Sequence, residues 1–266
     1  MNRPLSHPTD IWLTGAGSGI GLELARQLIN AGHRLRVSAR RTSTLDSLAM
    51  EAPERVQPLP VDITDREAVK ELQDALLQPH PVQVAILNAG TCEYLDVREF
   101  DSRVIENNIT TNVLGTAHCI EAVLPALRQA RQAGLPATLV IVSSSAWWFP
   151  FGRAEGYGAS KAALTYLAHS LRADLALEGI DVVTVEPGFV KTPLTDRNTF
   201  PMPFLISAED AAHRIVSGLE SGRRDIHFPR RFTWILKALR ALPQPLIDRL
   251  AARLARPSTA EQELRQ

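Results

Sequence analysis

Cysteine is scarce in this chain of 266 residues, which contains only Cys92 and Cys119. Neither belongs to a cluster of Cys and His residues spaced as in a metal site or a redox pair, so we expect two reduced thiols and no metal. A net charge is also lacking, because 29 Lys and Arg residues balance 29 Asp and Glu residues. Nucleic-acid-binding proteins usually carry a positive excess, and we therefore expect no nucleic-acid partner.

Long apolar runs are absent as well, since nowhere do about 18 uncharged apolar residues stand together as a membrane-spanning helix requires. Residues 1–10 lack the cationic stretch and apolar run of a secretory signal, and we expect a cytoplasmic protein. No internal repeat and no linker rich in Gly or Ser divides the chain. We predict one domain at residues 1–228, followed by a C-terminal extension at 229–266.

Short apolar runs alternate with amphipathic stretches along the chain. The runs predict strands at 11–14, 35–39, 56–61, 82–88, 138–143 and 181–186. The amphipathic stretches predict helices at 20–31, 66–77, 102–132, 158–178 and 208–219. This alternation indicates an α/β fold in which helices cover both faces of a mostly parallel sheet.

A glycine-rich turn joins the first predicted strand to the first predicted helix. Its members are Gly15, Gly17, Ser18, Gly19, Ile20 and Gly21. Such a turn lets the backbone approach a pyrophosphate and presents the unpaired N–H groups of a helix N-terminus to it. The pattern predicts a dinucleotide site, and the alternative is a tight turn that binds nothing.

The second predicted strand ends in Ala39, Arg40 and Arg41. Sites that select NAD commonly place an acidic residue here for the ribose hydroxyls, whereas an Arg guanidinium matches the 2′-phosphate of NADP. We therefore favour NADP(H) over NAD(H). The alternative is that both Arg side chains are merely solvated in a surface loop.

Polar residues also follow the third and fourth predicted strands. Asp62 comes after the third, and Asn88, Ala89 and Gly90 come after the fourth. Together they extend one edge of a ligand crevice, since the carboxyl ends of parallel strands lie side by side. Each of them alone is explained as well by a turn or a helix cap.

Tyr157 and Lys161 are four residues apart at the start of a predicted helix, which places both side chains on one face. A nearby ammonium favours the phenolate, so a low Tyr pKa suited to proton exchange with a carbonyl oxygen is expected. The alternative is a coincidental spacing. Ser144, at the exit of the fifth strand, offers a hydroxyl to the same oxygen, and Ser143 and Ser145 compete for that role.

Asn112 lies inside the helix predicted at 102–132, where Asn is unfavourable. A kink or a structural purpose must offset this cost. A tolerated surface residue and a water-binding residue are the two interpretations that the pattern leaves open.

Taken in chain order, these residues resemble the short-chain dehydrogenase/reductase family. The match runs from residue 11 to residue 228. It comprises Thr14-Gly15-x-x-x-Gly19-x-Gly21, Asp62, Asn88-Ala89-Gly90, Asn112, Ser144, Tyr157-x-x-x-Lys161 and Pro187-Gly188-x-x-x-Thr192.

The resemblance implies a single-domain, doubly wound Rossmann fold that binds NAD or NADP, with Tyr157 as the catalytic acid or base. It further implies that Lys161 holds the nicotinamide ribose and lowers the Tyr pKa, that Ser144 orients the carbonyl, and that Asn112 positions a relay water. The 13-residue spacing from Ser to Tyr that is usual in the family selects Ser144 over its neighbours. Cofactor contacts are also implied for Ile63, Pro187, Gly188, Val190 and Thr192.

One residue departs from the pattern of many NADP-preferring relatives, which carry a basic residue before the second glycine of the motif. Ser18 occupies that position here. The preference for NADP therefore depends on Arg40 and Arg41, an ending of the second strand that usually accompanies NADP in the family.

Two apolar loops follow the fifth and sixth strands and are expected to flank the substrate. They contain Trp147, Trp148, Phe149 and Phe151 in the first, and Leu194, Phe200, Met202, Phe204 and Leu205 in the second. They suggest an apolar ketone, aldehyde or alcohol as the substrate. The alternative is that several of these side chains only pack the loops together.

The C-terminal extension is basic and amphipathic. Its cations include Arg230, Arg231, Lys237, Arg240, Arg249, Arg253 and Arg256. This composition is compatible with an anionic membrane surface, but docking on the domain or on a partner subunit is favoured about two to one because most amphipathic helices face a core. The resemblance also implies a homodimer or a homotetramer.

The sequence therefore predicts an NADP(H)-dependent carbonyl reductase or alcohol dehydrogenase of a hydrophobic compound. Two alternatives remain: a non-catalytic nucleotide-binding regulatory or scaffold protein, and a membrane-peripheral reductase of lipid-like ketones.

Overall fold

The computed structural model describes residues 3–198 and 200–254. Its main feature is a seven-stranded sheet. The strands are β1 (Asp10–Thr14), β2 (Arg34–Ser38), β3 (Val56–Pro58), β4 (Val84–Leu87), β5 (Thr138–Val142), β6 (Asp181–Pro187) and β9 (Asp225–Phe228). They are all parallel and lie in the order β3-β2-β1-β4-β5-β6-β9. Two short strands, β7 (Val190–Lys191) and β8 (Ile206–Ser207), pair separately.

Helices cover both faces of this sheet. They are α1 (Gly19–Asn30), α2 (Thr42–Glu51), α3 (Arg66–Glu71), α4 (Gln73–Leu77), α5 (Ser102–Ile109), α6 (Gly115–Gln132), α7 (Glu155–Ala176), α8 (Ala208–Glu220), α9 (Arg230–Arg240) and α10 (Gln244–Arg253). One apolar core lies between the sheet and α1, α2 and α8, and a second lies between the sheet and α3, α4, α6 and α7. The predicted α/β fold with a doubly wound sheet is confirmed.

The strand order places a crevice at the centre of the sheet. β1 pairs with β2 on one side, where Leu13 is opposite Val37, and with β4 on the other, where Leu13 is opposite Ile86. The chain leaves β1 towards one edge and later returns to build the other edge. In such open sheets a ligand binds beyond the carboxyl ends of the strands where the order reverses.

The single helix predicted at 102–132 is wrong, because the structure divides it. α5 ends at Ile109, residues 110–114 form a π-helical segment, and α6 begins at Gly115. Asn112 is completely buried in the π-helical segment, so it is not a surface residue. Short π-helical segments are rare in proteins, and those that occur are often located at functional sites.

Other elements differ from the sequence-based predictions in smaller ways. The helix predicted at 66–77 is divided at Leu72 into α3 and α4. The patterns did not predict α2, β9 or the short β7–β8 pair. β9 is only four residues long, and only its pairing with β6 makes it a strand.

The described part of the C-terminal extension packs on the domain. Phe232 and Leu236 of α9 and Ile247 of α10 form a third apolar cluster with Trp148 and Phe149. The structure thus shows the docking that the amphipathic pattern favoured. Arg256 lies outside the described residues.

Candidate active site

The glycine-rich turn leads from β1 into α1. Gly15 and Gly19 have φ angles of +73° and +54°, a region that side chains with a Cβ rarely adopt. A Cβ on Gly21 would lie 2.1 Å from the Gly15 carbonyl oxygen, so the turn closes only with glycine there. Gly17 approaches Ala39 at the end of β2, where an added Cβ would lie 3.1 Å from the Ala39 Cβ.

The N-terminus of α1 carries no competing anion of its own. Ser18 is the N-cap residue, but its side chain makes no capping hydrogen bond, and the first turn contains no acidic residue. The first N–H groups of a helix need acceptors and carry the positive end of the helix dipole. The turn is therefore suited to a phosphate group. Ile20 follows as a half-buried residue packed on the core.

Thr14 and Asn88 join the ends of β1 and β4 beside this turn. The Asn88 side-chain amide donates to the carbonyl oxygen of Thr14 at 3.2 Å, and the N–H groups of Asn88 and Ala89 donate to Thr14 Oγ1 at 3.1 and 3.2 Å. Asn88 therefore has a structural role at the base of the crevice, where it connects the ends of β1 and β4, and does not only face a ligand.

Arg40 and Arg41 are both exposed beyond β2 and form no ion pair with the residues that the structure describes. Asp62 lies near Arg40. Burial raises the pKa of Asp62, but hydrogen bonds from Thr64 and the charge of Arg40 outweigh it, and the pKa falls below its ordinary value. Ile63 is buried, and its carbonyl oxygen lies 3.0 Å from His118 Nδ1.

The structure brings Ser144, Tyr157 and Lys161 together at the carboxyl end of β5. Ser144 begins the turn after β5, and the other two residues lie one helical turn apart on α7. Lys161 is 4% exposed, and its Nζ donates to the Val142 carbonyl oxygen at 3.0 Å. The same Nζ lies 5.8 Å from the centre of the Tyr157 ring.

The two rivals of Ser144 have different environments. The Ser143 hydroxyl donates to the Lys161 carbonyl oxygen at 2.8 Å and lies 2.8 Å from Thr165 Oγ1, away from the cavity. Ser145 is 2% exposed and borders the same cavity as Ser144. Ser144 is the one that forms a hydrogen bond with Tyr157.

Burial is the largest cause of the pKa shifts of Tyr157 and Lys161. It raises the pKa of Tyr157 well above its ordinary value, and the hydrogen bond with Ser144 only partly opposes this. It also lowers the pKa of Lys161 to about 8. The expectation of a low Tyr pKa is therefore wrong for this structure, because burial disfavours the phenolate and the charges of Cys92 and Tyr94 raise the pKa further.

Asn112 ties the loop after β4 to α7. Its Oδ1 accepts from the Thr91 N–H at 2.8 Å, and its Nδ2 donates to the Thr91 carbonyl oxygen at 3.0 Å and to Ser160 Oγ at 2.9 Å. Both amide donors are used within the protein. The side chain thus braces the site, and a Cβ on Gly90 would lie 2.9 Å from Asn112 Oδ1 and 3.5 Å from Lys161 Nζ.

The segment after β6 closes over the glycine-rich turn. The Pro187 carbonyl oxygen accepts from Ser144 Oγ at 3.4 Å, and Gly188 lies against Phe232 of α9. Val190 is buried in the core. Thr192 reaches the turn itself, since a Cβ on Gly19 would lie 3.0 Å from its methyl group.

A cavity of about 80 Å³, partly open to solvent, lies above Ser144 and Tyr157. Its lining comprises Cys92, Tyr94, Ser144, Ser145, Ala146, Phe151, Ala154, Tyr157, Gly188, Phe189, Leu194, Thr195, Asn198 and Phe232. An apolar lining was expected, but only Phe151 and Leu194 of the expected wall residues border the cavity.

The other expected wall residues pack elsewhere. Trp147, Trp148 and Phe149 lie against α9 in the third apolar cluster. Phe200 contacts the rings of Tyr94 and Phe189, behind the wall. Met202, Phe204 and Leu205 do not line the cavity either.

Sequence reasoning did not identify Phe189, Asn198 or Phe232 as wall residues. Phe189 directly follows the Pro187-Gly188 pair, and this position could have identified it from the sequence as a wall residue. Phe232 belongs to the basic extension, and only the docking of α9 brings it to the cavity.

These features fit a dinucleotide. The uncapped N-terminus of α1 suits a pyrophosphate. At Gly15, Gly17 and Gly21 the turn lies so close to other protein atoms that it requires residues without side chains, which leaves its backbone accessible to a ligand. The exposed Arg pair suits a further phosphate. Ser144, Tyr157 and Lys161 stand at the other end of the same crevice.

Comparison with known proteins agrees with this geometry. Residues 10–201 match the family model described as short chain dehydrogenase. An uncharacterized oxidoreductase of Myxococcus xanthus is 35% identical over 246 residues, which cover 91% of this chain and 96% of that protein. Sulfoacetaldehyde reductase 2 of Chromohalobacter salexigens is 33% identical over 189 residues, which cover 70% of this chain and 74% of that protein.

A solved structure is similar over almost the whole chain. It is a short chain dehydrogenase from Burkholderia cenocepacia in complex with NADP, with a TM-score of 0.80 and 25% sequence identity, covering 97% of this chain and all of that one. The fold, the crevice and these similarities lead to one assignment. The chain belongs to the short-chain dehydrogenase/reductase family of NAD(P)-dependent oxidoreductases.

Proposed function

We propose that this protein is an NADP(H)-dependent carbonyl reductase or alcohol dehydrogenase that acts on a hydrophobic ketone, aldehyde or secondary alcohol. One observation carries the proposal: Ser144 and Tyr157 border an apolar cavity while Lys161 lies buried one helical turn further along α7. The oxidoreductase class follows from the family, and the substrate class rests on the cavity.

NADP(H) is the proposed cofactor, and it supplies the hydride when bound. The N-terminus of α1 would hold its pyrophosphate, Arg40 and Arg41 its 2′-phosphate, and Lys161 its nicotinamide ribose. Asp62, Ile63 and the 88–90 segment would border the adenine side, and Pro187, Gly188, Val190 and Thr192 the nicotinamide side. The similar Burkholderia protein is described in complex with NADP, which supports this choice over NAD(H).

In the reductive direction, Tyr157 acts as the proton donor. Its raised pKa keeps the phenol protonated at neutral pH, so the hydroxyl proton is available when negative charge develops on the carbonyl oxygen. The Ser144 hydroxyl donates a hydrogen bond to the same oxygen and orients it. In the oxidative direction the phenolate form of Tyr157 takes the proton from the alcohol, and the raised pKa confines this form to alkaline pH.

Asn112 is proposed as a positioning residue in this step. By tying Thr91 to Ser160, whose hydroxyl donates to the Tyr157 carbonyl oxygen at 2.7 Å, it holds the segment that faces Lys161. A relay water held by Asn112 remains part of the proposal, although both side-chain amide protons are engaged within the protein.

The test follows NADPH and NADH consumption with a panel of short, cyclic and long-chain carbonyl compounds. Tyr157→Phe removes the proton donor and should lower kcat at least about 100-fold. Tyr166→Phe is the matched control, because Tyr166 lies on the same helix but is 77% exposed. Equal turnover by Tyr157→Phe and the wild type would overturn the role of Tyr157. Cofactor binding without turnover of any compound would favour the non-catalytic alternative.

A second candidate is a membrane-peripheral reductase of lipid-like ketones. It is favoured by Trp234 and Ile235 on α9, which are 61% and 50% exposed beside the exposed Arg231. Against it, Lys237 and Arg240 of α9 stack on tryptophan rings of the domain. Equal sedimentation of the wild type and Trp234→Ser with anionic phospholipid vesicles would exclude a membrane role for this face.

No helix in residues 3–198 and 200–254 is long and apolar enough to cross a bilayer. The cytoplasmic location stays a prediction. We further propose a homodimer or a homotetramer, as the family resemblance implies, and light scattering of the purified protein measures its mass directly.

A further inference from the structure

The cavity above Ser144 and Tyr157 is small for a substrate pocket. Its volume of about 80 Å³ is well below the roughly 300–1,000 Å³ of pockets that enclose most of a drug-sized molecule. The cavity is also partly open to solvent. A larger substrate therefore places only one small group inside it, and the rest of the molecule extends through the open side.

Phe232 of α9 forms part of the cavity wall close to the reacting centre. A Cβ on Gly188, which also borders the cavity, would lie 2.9 Å from Phe232 Cδ1, so the edge of the ring lies against the backbone there. The carbonyl oxygen of the preceding residue, Pro187, accepts the hydrogen bond from Ser144 Oγ. The ring therefore bounds the cavity near the hydroxyl that orients the substrate carbonyl.

The position of this ring is fixed by the packing around it. Phe232 is 7% exposed, and the centre of its ring lies 5.4 Å from that of Phe189 and 6.1 Å from that of Phe204. The Gly188 N–H donates to the Phe228 carbonyl oxygen at 2.7 Å, which ties the end of β6 to the chain just before α9. A side chain enclosed in this way has little space in which to rotate away from a bulky substrate group.

Shortening Phe232 would enlarge the cavity in an apolar direction. The residue belongs to the third apolar cluster, together with Leu236 of the next turn of α9. Leu236 is 3% exposed and does not border the cavity. Because the surroundings of a shortened buried side chain relax only partly, Phe232→Ala should leave space that an alkyl group can fill.

We propose that Phe232 is a specificity-determining residue whose ring limits the size of the substrate group that enters the cavity. The preferred substrates are then aldehydes and ketones in which one group on the carbonyl carbon is small, such as hydrogen or methyl, and the other is longer and apolar. This inference rests on the proposed reductase function and narrows its substrate class.

The experiment measures NADPH-dependent reduction of four compounds that share a hexyl group. In heptanal, 2-octanone, 3-nonanone and 4-decanone the second group on the carbonyl carbon is hydrogen, methyl, ethyl and propyl, respectively. One methylene in an apolar pocket changes kcat/KM by about 10–200-fold. The kcat/KM of the wild type should therefore fall about tenfold or more from 2-octanone to 4-decanone.

Phe232→Ala should reduce this fall about tenfold or more, because the larger cavity admits the propyl group. If hydrogen is the largest group that the wild type admits, the wild type reduces heptanal alone and Phe232→Ala gains activity towards 2-octanone. Comparing ratios of kcat/KM between variants removes the intrinsic reactivity of each compound. It also removes differences in the fraction of active enzyme.

Three further variants separate the ring from the stability of α9. Leu236→Ala shortens a buried side chain of the same cluster outside the cavity wall, and it should keep the ratios of the wild type. Ile235→Ala, at a position that is 50% exposed, is the surface control. Phe232→Leu keeps an apolar side chain of intermediate size and should give intermediate ratios. Thermal unfolding of each variant shows whether it is folded at the assay temperature.

The outcomes separate the two proposals. A wild type without a preference for the smaller group, ratios that Phe232→Ala leaves unchanged, or an equal shift in Leu236→Ala would overturn the role of Phe232 alone. Reduction of compounds in the wider carbonyl panel but of none in this series would do the same. If the wild type reduces no compound of either set, then the reductase function fails and this inference fails with it.

Discussion

Desolvation decides the charge of the two ionisable residues at the centre of the site. Lys161 is buried and Tyr157 is half-buried at the cavity, and burial disfavours the phenolate of Tyr157 and the ammonium of Lys161. The pair is therefore poised as a neutral phenol beside an ammonium with a pKa of about 8. This combination suits proton donation to a carbonyl at neutral pH.

The low pKa of Lys161 predicts a pH dependence. Below pH 8 the side chain is mostly protonated, and above it the charge is lost, so kcat/KM for NADPH should fall with an apparent pKa of about 8. Lys161→Met should give a low, flat profile over this range. Lys70→Met, at an exposed residue of α3, should keep the inflection. A decline that persists unchanged in Lys161→Met would assign it to another group.

At the scale of elements, α9 is held on the domain by its charges as well as by its apolar face. The Arg240 guanidinium carbon lies 3.8 Å from the centre of the Trp147 ring, and Lys237 Nζ lies 4.8 Å from that of Trp148. The Trp147 indole N–H donates to Glu186 Oε1 at 2.6 Å. Lys237 and Arg240, whose pattern in the sequence is compatible with a membrane surface, thus help to dock α9 on its own domain.

The pKa of Glu186 makes the contribution of this docking to stability depend on pH. Burial raises its pKa, and the hydrogen bond from Trp147 opposes that rise. Trp147→Phe should therefore lower the free energy of unfolding by about 1–3 kcal/mol at neutral pH. A carboxyl with a raised folded-state pKa stabilises the fold below its unfolded pKa and loses this contribution as pH rises. The loss of unfolding free energy caused by Trp147→Phe should accordingly be smaller at pH 4 than at neutral pH.

Urea unfolding at pH 7 and pH 4 measures this effect. Trp234→Phe is the matched control, because Trp234 is largely exposed, and it should change the free energy of unfolding by less than about 0.5 kcal/mol. Equal losses for the two variants at neutral pH would contradict the role of the Glu186 contact.

For the whole molecule, the C-terminal extension contributes to the wall of the cavity. Phe232 of α9 lines the cavity and lies against Gly188, whereas the glycine-rich turn lies near the start of the chain, between β1 and α1. Distant segments of the chain thus meet around one crevice.

Truncation after Phe228 should separate these contributions. It removes Phe232, Leu236 and Ile247 and exposes Trp148 and Phe149, and each buried side chain of this kind contributes about 1.5–3 kcal/mol. We expect a lower Tm and a loss of carbonyl turnover that exceeds the loss of NADPH affinity. Calorimetry and fluorescence titration measure the two effects. An unchanged Tm and turnover would show that α9 is dispensable.

Local pattern in the sequence was sufficient to predict most of the alternating strands and helices and the glycine-rich turn, because these depend on periodicity and spacing along the chain. The roles expected of Ser144 and Lys161 came from the family resemblance. Contacts between distant segments decided the rest. The π-helical segment around Asn112, the burial that raises the Tyr157 pKa, the docking of α9 and the contact of Phe232 with Gly188 arise only when the sheet assembles. Desolvation and side-chain partners are properties of that assembly, and no local pattern contains them.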